Sequence, residues 1–139
     1  MSILNEYFVG DCLISLENVT YNKLGEINEE VKLTVKDYFE IIDKEYASDN
    51  VEFKISRNLS FEPKSLVDIN VCFSVVLKVD DKYKDSSELD YELIRNEMLS
   101  EDSAFMPIIM SRISLIISQL TSSYGERPII TPPSFMITE

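Results

Sequence analysis

Histidine and tryptophan are missing from these 139 residues, and glycine and cysteine are scarce, at three and two copies. Histidine is the side chain that most often serves as a general base and most often ligates a metal, so its absence removes the commonest routes to both. Cys12 and Cys72 stand at a separation that fits no metal-binding or redox spacing. Neither a metal nor a cofactor is therefore expected, and no catalytic residue stands out. Gly10, Gly25 and Gly125 are too dispersed to build a phosphate-cradling loop. Basic residues are outnumbered, 13 Lys and Arg against 25 Asp and Glu, for a formal net charge of -12. That balance argues against nucleic acid and against docking on an anionic leaflet. No uninterrupted apolar run reaches the roughly 18 residues of a membrane span. The first six residues lack a basic region and a cleavage site, so a cytoplasmic location is expected.

What the chain does have is 45% apolar residues arranged in clear patterns. Its length suits one domain over 1–139, burying roughly two thirds of its unfolded surface without a disulfide or metal. From Val67 to Val79 every odd position is apolar, while Asp68, Asn70, Cys72, Ser74 and Lys78 occupy even ones. Period two sustained over that run marks a strand with one buried face. Val51, Phe53, Ile55, Leu59 and Phe61 do the same in 51–61, and the polar connection with Pro63 suits an antiparallel hairpin. Residues 12–21 read as a further strand whose apolar phase slips at Glu17 and Asn18, which requires a bulge there. In 34–47, Val35, Tyr38, Phe39, Ile42 and Tyr46 recur at helical spacing behind a Thr34 cap, and a helix is expected, with a strand from Val31 as the competing reading.

The second half separates charge from apolar surface. Residues 80–102 carry nine carboxylates against Lys82, Lys84 and Arg95. Within them Leu89, Tyr91 and Leu93 alternate like a strand, while Tyr91, Ile94 and Met98 recur like a helix capped by Ser87; both readings stay open. The acidity itself is either a solvated face or a handle for a basic partner. From 103 to 125 there is no carboxylate, and Arg112 is the one charge. Ile109, Ile113, Ile116, Leu120 and Tyr124 form a helical stripe that Ile108, Leu115 and Ile117 widen. Pro107 places the helix start near Ser103 or Ala104, and Gly125 suits its C-terminal cap. So apolar a helix needs cover on more than one side, which points to a second copy of the chain. The tail beyond it holds Pro128, Pro132 and Pro133 and cannot be helix or central strand. It is extended and apolar, and either lies across the core or lines a groove for extended peptide.

The helix that ends in Thr121-Ser122-Ser123-Tyr124-Gly125, followed by Pro128-Ile129-Ile130-Thr131-Pro132-Pro133, resembles the end of SecB-like protein-export chaperones. The two long alternating strands also fit that family's antiparallel sheet, and the likeness covers roughly residues 51–137. It implies an α+β fold, an antiparallel sheet packed with a long C-terminal helix and an extended proline-containing tail. It further implies an ATP-independent holdase, assembled as a dimer or tetramer, whose partners are unfolded or pre-secretory polypeptides, the export motor or one dedicated client. Under that reading the peptide contacts are sought among Phe105, Met106, Ile129, Ile130, Phe135 and Met136, because methionine and aromatic side chains make adaptable apolar surfaces. The alternative is a non-enzymatic oligomeric adaptor docking one partner through Asp80, Asp81, Asp85, Glu88 and Asp90.

Overall fold

A computed structural model describes residues 7–23, 32–42, 50–62, 67–80, 82, 90–100, 103, 105–122 and 128–136. Among these residues the strands are β1 (Phe8–Lys23), β2 (Lys32–Ile42), β3 (Asn50–Glu62) and β4 (Val67–Val79). The helices α1 (Tyr91–Met98) and α2 (Met106–Ser122) follow β4. The strands form one antiparallel sheet in the order β1-β4-β3-β2, so the two most regularly alternating segments lie at its centre. Central strands must present an apolar side chain at every second position, and β3 and β4 do so with Phe53, Ile55, Leu59, Ile69, Val71 and Val75 completely or nearly sealed from solvent. Helix α2 lays Ile109, Met110, Ile113 and Ile117 on that face, and α1 adds Ile94 and Met98. Each such burial contributes about 1.5–3 kcal/mol. The architecture is the α+β arrangement expected, with a long apolar helix on an antiparallel sheet.

β1 carries the bulge foreseen at Glu17: Leu16 opposes Phe73 and Asn18 opposes Cys72, leaving Glu17 as the extra residue. A second, larger irregularity lies between Val9 and Leu13, where four steps along β1 match two along β4. Gly10 sits inside it at φ 78°, in the left-handed region that glycine enters without a Cβ penalty.

The helix expected over 34–47 is not there. Residues 32–42 are β2, paired with β3 in unbroken register from Lys32 opposite Glu62 to Ile42 opposite Glu52; residues 43–49 lie outside the described part. The physical reason is that Val35, Asp37, Phe39 and Ile41 share the core-facing side, whereas Tyr38, which the helical reading placed in the stripe, is exposed. Of the two readings kept open for the acidic stretch, the helix holds over Tyr91–Met98. Its cap is Asp90, whose carboxylate accepts from the amides of Glu92 and Leu93; Ser87 lies outside the described residues. α2 begins at Met106, later than expected. The Ser103 hydroxyl accepts from the amides of Phe105 and Met106, so the residue read as a helix start instead serves the turn before it. Gly125 lies outside the described residues.

Candidate functional site

The core-facing row of β3 reads Val51, Phe53, Ile55, Arg57, Leu59, Phe61, with a guanidinium where the pattern calls for an apolar group. Opposite it in the ladder stands Asp37 of β2, equally out of place between Val35 and Phe39. Both side chains are 0% exposed. Nε and Nη2 of Arg57 donate to the two oxygens of Asp37 at 2.7 Å each, a bidentate fork. The remaining three donors all reach one segment of tail. Nη1 donates to Thr131 Oγ1 at 2.9 Å and to the Pro132 carbonyl at 2.6 Å, and Nη2 to the Ser134 carbonyl at 2.8 Å. All five guanidinium N–H groups are thus used. Asp37 Oδ2 accepts a further bond from the amide of Met136 at 2.7 Å. A buried charge pair is tolerated only when saturated in this way.

These bonds fix residues 128–136 as a strap across the sheet. Prolines supply carbonyls but no N–H, so the strap cannot enter a strand ladder and depends on donors from elsewhere. α2 supplies two more ties. Ser114 Oγ donates to the Thr131 carbonyl at 2.7 Å, and Thr121 Oγ1 accepts from the Ile129 amide at 2.7 Å. Between the strap, the start of α2 and the end of α1 lies a surface cleft of about 110 Å³, lined by Leu99, Ser100, Met106, Pro107, Pro133, Ser134 and Phe135.

The six apolar residues singled out from the sequence divide into two groups. Met106 is buried in the core, and Phe105, Ile129 and Phe135 are half-buried against it. Ile130 is 74% exposed and Met136 36% exposed. The cleft brings Met106 and Phe135 together from positions far apart in the chain, while Ile130 and Met136 stand on the strap's outer side. Of the five acidic candidates, Asp80 holds the Lys82 amide and Asp90 caps α1; Asp81, Asp85 and Glu88 lie outside the described residues.

The opposite face of the sheet carries a small polar network. Lys54 pairs with Glu17 at 2.8 Å, and Ser74 donates to Glu52 at 2.9 Å. The hydrogen bond and charge of Glu17 raise the Lys54 ammonium above its ordinary value. Cys72 is beside the same carboxylate, Sγ to Oε2 at 3.9 Å. Burial, then the negative charge of Glu17, pushes its thiol up. That is the reverse of what an activated nucleophile requires. Both cysteines are free and partly exposed. Among the described residues no three His, Cys, Asp or Glu side chains gather to hold a metal ion, and no helix is long and apolar enough to cross a membrane.

The sequence pattern missed the Arg57–Asp37 pair. The signal was present as a single charged gap in the otherwise apolar odd positions of β3, but its partner was hidden by the helical reading of 34–47.

A scan of protein-family models finds no match to this chain, and neither does a sequence search of curated proteins. Comparison with solved structures does find matches. One is a SecB-like chaperone of Mycobacterium tuberculosis, solved in complex with a ChAD peptide from an antitoxin. It aligns with 91% of this chain and 88% of its own at a TM-score of 0.61, with 10% sequence identity. The chain therefore has a SecB-like fold. At that identity the likeness extends to the fold alone.

Proposed function

We propose that this protein is a chaperone-like polypeptide binder, a divergent SecB-like holdase that retains extended apolar segments without nucleotide and without catalysis. The observation that carries the reading is the SecB-like fold across nearly the whole chain, joined to an apolar cleft walled by Met106, Pro133 and Phe135 and flanked by a strap exposing Ile130 and Met136. The structural neighbour's antitoxin peptide supports an extended polypeptide as the class of client. Burial of apolar area at about 25 cal/mol per Å² needs no reactive group and lets several weak contacts replace one specific contact.

The finer parts of the proposal are a role linked to protein export or to one dedicated client, a single domain over 1–139, a cytoplasmic location, and assembly as a dimer or tetramer. Ile108 and Leu115 on the outer side of α2, and Val9, Leu13 and Leu16 on β1, leave apolar surface that a second copy would cover. The adaptor alternative gains no comparable support. Its two described carboxylates are already engaged with nearby backbone amides.

The test is suppression of aggregation of a slow-folding substrate in the absence of nucleotide, with the solution mass measured on the same preparation. Slowed aggregation is expected at a molar excess of the protein. Unchanged aggregation at several-fold excess refutes the holdase reading, and a single-chain mass refutes the assembly.

A further inference from the structure

We infer that Arg57 and Asp37 are positioning residues for client binding: the buried pair holds the proline strap at one fixed height, and the strap in turn forms one wall of the apolar cleft. The inference rests on the peptide-binding reading above and assigns that site its supporting residues.

The argument starts from cost. Two sealed charges in the middle of an apolar row lose their hydration, and apolar residues of similar volume are often as stabilising at such a position. Stability by itself therefore gives no reason for a guanidinium in β3. Geometry does. A guanidinium is a rigid planar donor with five N–H groups, and here two of them take Asp37 while three take Thr131, Pro132 and Ser134. An apolar side chain would fill the same volume but hold none of those three points. Met136 adds a fourth, bonded directly to Asp37. The residues that line the cleft, Pro133, Ser134 and Phe135, fall within the run tethered at 132, 134 and 136, and exposed Ile130 precedes the tether at 131. A site whose supporting residues are loose loses affinity before the fold loses stability.

The experiment replaces both charges together, Asp37→Leu with Arg57→Met, so that no lone charge is left buried. Three readouts are taken on the full-length protein: the urea midpoint, hydrogen exchange at the Met136 amide, and anisotropy of a fluorescein-labelled, unstructured peptide rich in Leu and Phe. The expected result is a near-native midpoint, loss of protection at Met136, and peptide binding weakened about tenfold, the scale of one charge-assisted hydrogen bond. Thr131→Val is the milder companion, removing one acceptor of Arg57 while leaving the ion pair intact. It removes one of the three ties that Arg57 makes to the strap and leaves the others, so it is expected to weaken binding about threefold, less than the double variant, and it carries the test if the double variant does not fold. Unchanged peptide affinity in a folded variant whose strap has lost protection overturns the inference and leaves the holdase reading standing. Failure of the native chain to bind the peptide overturns both.

Discussion

Cys72 lies on the sheet face away from the helices, within reach of Glu17, which is itself paired with Lys54. Its thiol is held above the ordinary value of 9.0 by burial and by the adjacent carboxylate. Since only the thiolate attacks, alkylation by iodoacetamide at neutral pH is expected to be slower at Cys72 than at a free cysteine, with the midpoint of the rate profile above pH 9.0. The sign for Glu17→Gln follows from charge: removing the anion and leaving the Lys54 ammonium nearby stabilises the thiolate, so the midpoint moves down. Peptide mapping by mass spectrometry separates Cys72 from Cys12. A midpoint unmoved by Glu17→Gln would show that burial acts alone.

Among the elements, β1 departs furthest from regularity. It is an edge strand, and a long flat edge invites pairing with other chains; bulges twist such edges away. β1 has two register breaks, one at Glu17 and one spanning Gly10. At Gly10 a Cβ would meet nothing within 4 Å, so steric crowding is not the issue and the positive φ alone sets the cost. Gly10→Ala is expected to lose about 1–2 kcal/mol in urea unfolding. A loss near zero would mean that the strand relaxes into regular pairing. β2, the other edge, was the element hardest to read from sequence. Val35 and Phe39 satisfy helical and strand periodicities equally, and Asp37 interrupts the alternation that would have distinguished them. The same residue that obscured the strand is the one that Arg57 requires. The β1 bulge at Glu17 was legible because the apolar phase itself slips there. The strap was legible as extended and apolar from its prolines, but its anchors were not.

Along the whole chain the charge of -12 is unevenly placed, with nine carboxylates in residues 80–102 and none in 103–125. The described cleft is lined by Leu, Met, Pro and Phe with two serines and no charged group. Capture of an uncharged apolar peptide should therefore change less than about twofold in affinity between about 0.05 M and 0.5 M salt, because screening acts on charges and not on apolar burial. Weak capture of that peptide beside tight capture of a basic one whose affinity falls steeply with salt would instead favour the acidic-surface adaptor. Net charge of this size keeps a protein with exposed apolar groups dispersed. It also leaves room for faster encounter with basic segments, an effect on association rate that salt would remove without altering the apolar contact.

Local chemistry was enough to specify the central hairpin, the bulge in β1, the apolar character of α2 and the extended path of the strap, because each depends on periodicity, glycine or proline acting within a few residues. The tertiary structure decided what those rules leave degenerate. β2 became a strand because β3 offered it an unbroken ladder. A charge entered the core because its partner arrives from 20 residues away and its remaining acceptors from 74 to 77 residues away. Hydrogen-bond saturation of a buried ion is a property of the assembled neighbourhood, and no window of sequence contains it.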